Sequence, residues 1–149
     1  MASTLSDELH ETLKNVEKKV GIEEVQPDRK EIEKFCDIIG DTNPIYVEKG
    51  IFPPGYIMNL TNRVIQKIFI EIGPLFISKI RGLIHVGSKV EFLKPMPLDI
   101  SYTIKIETSK PKEKTGKKGT YYSSIFKTTI FDKDNDVHAI DHHEFFFKL

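Results

Sequence analysis

A carboxylate, an amide, a ring-locked turn residue and a phenol crowd into one short stretch, Gly40-Asp41-Thr42-Asn43-Pro44-Ile45-Tyr46. A second run, Phe52-Pro53-Pro54-Gly55-Tyr56, begins six residues later. Its prolines introduce an apolar helical pattern whose first backbone N–H groups have no partner inside the helix. A loop carboxylate facing such a helix start can form a small acid–base and oxyanion site. Each residue also has a plainer use. Asp41 and Asn43 suit turns, because Asx side chains before proline close loops by bonding to the backbone. Tyr46 suits packing with its hydroxyl on a neighbour, and Gly55 suits a helix start.

The pieces around this loop follow from periodicity. Leu5, Leu9, Leu13, Val16 and Val20 recur at helical spacing, with Thr4 and Asp7 placed for a capping box and Gly21 for a stop. A second helix starts at Asp28 and Glu31, buries Ile32, Phe35, Cys36 and Ile39, and ends at Gly40. Cys36 on that stripe is a small core hydrophobe and not a nucleophile. Ile57, Leu60, Val64, Ile65, Ile68, Phe69 and Ile72 cover more than half of a third helix, which Gly73-Pro74 ends. A helix this apolar is normally wrapped by a sheet or an interface.

From about Leu83 the period falls from 3.6 to 2. Ile84, Val86, Ser88, Val90 and Phe92 alternate with Leu83, His85, Gly87, Lys89 and Glu91. After Pro95-Met96-Pro97 comes the strand of Ile100, Tyr102, Ile104 and Ile106. Two more strands, about 120 to 131 and 137 to 147, flank a turn at 132–136. Helices followed by antiparallel strands make an α+β pattern, with one long helix held in a curled sheet.

The 149 residues suffice for one domain. With 39% hydrophobic and 30% charged residues, and 22 basic against 22 acidic side chains, the composition points to a globular protein with no bias toward nucleic acid or an anionic membrane. A single cysteine excludes an internal disulfide, and no apolar run nears the length of a membrane span. Asp7, Glu8, His10 and Glu11 break any signal-peptide core, so the expected compartment is the cytoplasm.

The run from Phe35 to Tyr46, "FCDIIGDTNPIY", resembles the signature of MaoC-like hydratases and dehydratases, which have the hot-dog fold. The resemblance continues through Pro53-Pro54-Gly55-Tyr56, the strand "GSKVEFLKPMPLDISYTIKI" and the final strand pair, covering residues 25 to 149. It implies a domain at 25–149 with an N-terminal helical extension at 1–24. It implies addition or removal of water at a trans-2-enoyl or 3-hydroxyacyl thioester of CoA or an acyl carrier protein, without a cofactor or metal. Asp41 matches the family aspartate and Gly55 the helix-start glycine that polarises the thioester. Asn43 and Pro44 match the loop-shaping residues, and Pro54 and Tyr56 lie at the expected substrate contact. Tyr46 departs, since the catalytic hydratases have histidine there. An imidazole, pKa about 6.5, exchanges protons near neutrality and a phenol, pKa about 10, does not.

Tyrosine at this place resembles the sub-branch of N-terminal MaoC-like dehydratase domains and the non-catalytic subunits of heterodimeric dehydratases, in which a partner carries the Asp/His pair. The implied assembly is a homodimer or a heterodimer with a related subunit. A hot-dog thioesterase is the weaker alternative, because the only acid in the central helix is Glu71 at its far end.

Other clusters read as structural. His142 and His143 point to opposite faces of a strand, so His138, Asp141, His142 and His143 form no metal set. His85 reads as a partly exposed strand histidine. Asp132, Asp134 and Asp136 lack the glycine and glutamate of a calcium loop. Lys110, Lys112, Lys114, Lys117 and Lys118 read as a solvated hairpin tip, or as a weak landing site for CoA phosphates or an acidic carrier protein.

Overall fold

The computed structural model describes residues 4–149; residues 1–3 of the expected extension lie outside the described residues. Helix α1 (Leu5–Val20) starts on the expected capping box, in which Thr4 and Asp7 bond reciprocally. A short strand β1 (Ile22–Val25) follows, then α2 (Arg29–Ile39), the single turn α3 (Pro44–Val47), a 3-10 turn (Pro54–Tyr56) and the central helix α4 (Ile57–Glu71). Gly73-Pro74 does end α4, but it also opens a further short helix, α5 (Gly73–Ser78), with Pro74 in the first turn, where a missing N–H is harmless.

Strands β2 (Gly82–Phe92), β3 (Tyr102–Thr108), β4 (Lys112–Gly116), β5 (Gly119–Phe131) and β6 (Val137–Lys148) complete the chain. All strand pairs are antiparallel, in the order β1-β3-β5-β6-β2, with β4 added to β5. The sheet curls around α4. Ile57, Leu60, Val64, Ile65 and Ile68 are buried against Tyr102, Ile104, Ile106, Phe126, Ile130 and Phe147. Deleting one of these side chains to alanine costs on the order of 2–5 kcal/mol. The α+β expectation of a helix held in a sheet is met.

Helix α1 joins the same core through Leu9, Leu13 and Val16. Its Glu17 carboxylate accepts from both the backbone N–H and the hydroxyl of Thr108 at 2.7 and 2.8 Å, which ties α1 to the end of β3. Strand β1 was not legible from periodicity; it is four residues long at the sheet edge, and Ile22 is exposed.

One irregularity governs the helix-facing side of the sheet. Along β2 and β6 the register steps at Val86: His85 pairs with Phe145, yet Gly87 pairs with Glu144. Such a bulge inserts one residue and exchanges the faces of everything beyond it. Leu83 and His85 thereby join Ser88 and Val90 on the side of α4, a grouping that strict alternation denies.

Candidate functional site

Ile45 of the loop and Pro54 of the helix start line one open groove. Gly40 closes α2 with a left-handed φ of 70°, and the Asp41 N–H bonds back to the Cys36 carbonyl at 2.9 Å. The Asp41 carboxylate accepts from the Asn43 N–H at 3.1 Å, and the Asn43 side chain caps α3 by accepting from the Ile45 N–H at 3.1 Å. Pro44 occupies the first position of that turn. Both Asx residues therefore form the loop, as their plainer reading holds, and this leaves Asp41 with capacity for a further donor. The Tyr46 hydroxyl lies in the field of that carboxylate; burial and the neighbouring Asp41 charge push its pKa up.

The loop is fastened to the sheet side by Phe52 N–H to the Met96 carbonyl and Leu98 N–H to the Gly50 carbonyl, both 2.8 Å. No side chain caps the 3-10 turn at Pro54–Tyr56. Gly55 offers its first amide N–H, and the Phe35 ring packs where a β-carbon would sit, 3.4 Å away. Tyr56 is placed differently from a surface contact: it is buried between Phe35 and Phe52, and its hydroxyl donates to Glu31 at 3.0 Å. Its pKa is pushed up to about 12 by burial and by that carboxylate. Pro54 is exposed and borders an open groove of about 590 Å³ lined by Ile45, Lys49, Phe52, Phe92 and Leu93. Cys36 is buried, and burial with the nearby Asp41 and Asp37 pushes its thiol up, away from nucleophile chemistry.

The lysine-rich segment forms a hairpin, with Gly116 paired to Gly119 and Lys117-Lys118 at the tip. Lys117, Lys118 and Lys148 border a second cavity of about 370 Å³ whose apolar walls include Ile84, Tyr121 and Phe146.

A third grouping escaped the residue-by-residue reading. His142 and His143 do face opposite ways, but Asp141 and His143 share the helix-facing side of β6 and both are 0% exposed. His143 Nε2 lies 2.6 Å from Asp141 Oδ2. The carboxylate also accepts from Ser88 Oγ at 2.8 Å and from Thr61 Oγ1, on α4, at 3.1 Å. Burial alone would raise the Asp141 pKa; the bonds from His143, Ser88 and Thr61 and the imidazole charge outweigh it and hold the group below the usual carboxylate range. On its other side, His143 Nδ1 is 3.3 Å from His85 Nε2, and the His85 ring stacks on Phe145. The i, i+2 spacing of Asp141 and His143 was the available signal. His85 carried none, because its face depends on the bulge.

His138 is spent elsewhere, with its ring nitrogens 2.9 Å from the Pro95 carbonyl and from Asp132, which itself bonds the turn amides of Asp134 and Asp136. Among the described residues no group of histidine, cysteine and carboxylate side chains is arranged to hold a metal, and no helix is long and apolar enough to cross a membrane.

No protein-family model and no curated protein matches this sequence. Solved structures do. A chain of the ChsH1–ChsH2 complex from Mycobacterium tuberculosis is similar over 93% of this chain and 90% of its own, at 16% identity and a TM-score of 0.64. A monoamine oxidase regulatory protein from Archaeoglobus fulgius is similar over 84% of each chain, at 10% identity and a TM-score of 0.64. The C-terminally truncated HadBC (3R-hydroxyacyl-ACP dehydratase) complex of Mycobacterium tuberculosis is similar over 83% of this chain and 90% of that one, at 11% identity and a TM-score of 0.56. At these identities the likeness shows the fold, and the fold is the hot-dog.

Proposed function

We propose that this is a MaoC-like protein that binds acyl thioesters of CoA or an acyl carrier protein and works at the hydration step, adding water to a trans-2-enoyl thioester or removing it from the 3-hydroxyacyl form. The observation that carries the reading is the apolar groove that Ile45 of the Asp41–Tyr46 loop and Pro54 of the uncapped helix start line together. In this reading the Gly55 N–H receives the thioester carbonyl, where an amide donor stabilises developing negative charge. The acyl chain lies along Ile45, Phe52, Pro54 and Leu93, and Asp41 with Tyr46 orients the water, within a loop shaped by Asn43 and Pro44. The similarity to dehydratase and thioesterase hot-dog structures agrees with thioester handling. The compartment that suits a single, buried thiol is the cytoplasm.

A second reading is favoured by Tyr46 itself. A phenol whose pKa is raised above 10 does not exchange protons near neutrality, so the loop binds and orients but lacks a base. The chain is then an acyl-binding subunit whose partner supplies the acid–base pair. Strand β2 suits a partner: it is a sheet edge with Ile84 and Val86 exposed at 62% and 46%, and its backbone is open to a second hot-dog protomer.

Hydration of crotonyl-CoA by the wild type, Asp41→Asn and Tyr46→His, with binding of saturated butyryl-CoA followed by calorimetry, tests both. Wild-type turnover abolished by Asp41→Asn supports the first reading. Binding without turnover, and turnover gained in Tyr46→His, supports the second. A wild type that neither binds butyryl-CoA nor hydrates the enoyl form overturns both.

A further inference from the structure

Three consecutive phenylalanines fall near the end of β6. Strand alternation sends Phe145 and Phe147 into the core and leaves Phe146 on the outer face of the sheet, away from α4. Ile84 of β2 is paired beside Phe146 and is exposed. Tyr121, two residues from the β5 partner Ser123, reaches the Phe146 ring diagonally, with centroids 4.5 Å apart at 37°. Together they make an apolar floor on a face that also carries His142, Glu144 and Lys148.

The hairpin beside this floor turns it into a cavity. Gly116 pairs with Gly119 and leaves Lys117 and Lys118 as a two-residue tip. Gly119 has a φ of 106°, which favours glycine, and a β-carbon on Gly116 would press against the Tyr121 ring at 3.2 Å. The missing side chains keep open about 370 Å³, walled by Ile84, Tyr121 and Phe146 and rimmed by Lys117, Lys118 and Lys148. That volume suits a small ligand.

Its charge is one-sided. No lining residue is acidic, and among the described residues the three rim lysines have no carboxylate partner. Lys114 differs: it is held by Glu144 at 3.4 Å and stands 5.3 Å over the Phe146 ring. Glu144 also accepts from Ser123 Oγ at 2.6 Å, so that carboxylate is already satisfied. A flat ring covers such a floor through its π-face, and lysine binds phosphate as a point charge.

The cavity is also remote from the thioester groove. Ile84 borders the first and Phe92 the second, and they stand roughly 25 Å apart along β2 at about 3.3 Å per residue. A partner strand laid along the β2 backbone would pair with its edge and leave the outer face open.

We propose that this cavity binds a nucleoside phosphate as a ligand separate from the acyl thioester. Its ring lies on Ile84, Tyr121 and Phe146, and its phosphates lie among Lys117, Lys118 and Lys148. The site does not depend on thioester binding at the Asp41 loop.

Calorimetry with ADP, adenosine and inorganic pyrophosphate tests it, with amide NMR to place the ligand. The expected result is saturable binding of one ADP per chain, with adenosine and pyrophosphate each weaker by about tenfold or more. Amide shifts centre on Gly116, Gly119, Tyr121 and Phe146, and added salt weakens binding. The double variant Lys117→Glu with Lys118→Glu alters only exposed side chains and weakens ADP about tenfold or more. Lys30→Glu with Lys34→Glu makes the same charge change on exposed positions of α2 and leaves the ADP affinity within about twofold. ADP binding that persists under saturating butyryl-CoA, or in a protein that butyryl-CoA does not bind, upholds the separate site. Absence of ADP binding overturns it, as does pyrophosphate binding as tight as that of ADP, or equal weakening in the two double variants. Displacement of ADP by butyryl-CoA overturns the separate ligand and gives the cavity to the nucleotide end of the thioester.

Discussion

Two aspartates, Asp41 and Asp141, each beside an aromatic ring residue, divide this molecule by burial. Asp41 sits half-exposed on a loop, with the Asn43 backbone amide as its donor and the Tyr46 hydroxyl nearby. Asp141 has no exposure, and three side chains, His143, Ser88 and Thr61, satisfy it. The exposed pair is cheap to hold and easily reached by a ligand. The buried one is bought with precise partners, since a carboxylate removed from water and left unpaired costs several kcal/mol. Accessibility and electrostatic preorganisation are therefore separated in space.

The sharpest way to break this contrast is Asp141→Ala. Losing one partner of a buried pair costs about 3–5 kcal/mol, so the chemical denaturation midpoint should fall steeply. A fall no larger than that of an exposed-site variant would show that the cluster is not held as its geometry indicates. A second experiment uses acid. The folded-state pKa of Asp141 is depressed below the unfolded value of about 3.9, so its contribution is present above that value and lost as pH falls through the folded one. The stability gap between wild type and Asp141→Asn should stay level from pH 7 to about 5 and close below about 4. A gap indifferent to pH would place the stabilisation in packing instead. The smallest expected effect is at the loop. Asp41→Ala removes one exposed hydrogen bond, from the Asn43 N–H, worth about 0.5–1.5 kcal/mol, measured as a modest shift of the same midpoint. A loss on the scale of Asp141→Ala would make the loop, too, part of the rigid interior.

The same contrast explains what was legible in the sequence. The Asp41 loop is local: Gly40, Asp41, Asn43 and Pro44 make bonds within a few residues of themselves, and such chemistry is written in short spacing. The wrapped central helix was equally legible, because Ile57 to Ile68 bury a stripe of period 3.6. The Asp141 cluster joins α4, β2 and β6 across separations of 53 to 82 residues. Half of it, Asp141 and His143, follows from strand alternation. The other half depends on one inserted residue at Val86, which alternation counts wrongly for everything before it. Strand β1 was missed for a different reason: four residues at an edge, with one buried side chain, carry too little pattern to separate from a linker.

The clamp between Glu17 and Thr108 has a consequence for biosynthesis. The two residues are separated by 91 positions, and at about 5–20 residues per second a ribosome takes roughly 5–20 s to travel from one to the other. For an equal time α1 stands outside the exit tunnel before the strand that receives it emerges, so Leu9, Leu13 and Val16 stay uncovered by β3. Nascent chains of this protein should be substrates for general chaperones in that window, and synonymous changes that slow translation before Thr108 should lower the soluble yield without altering a single side chain.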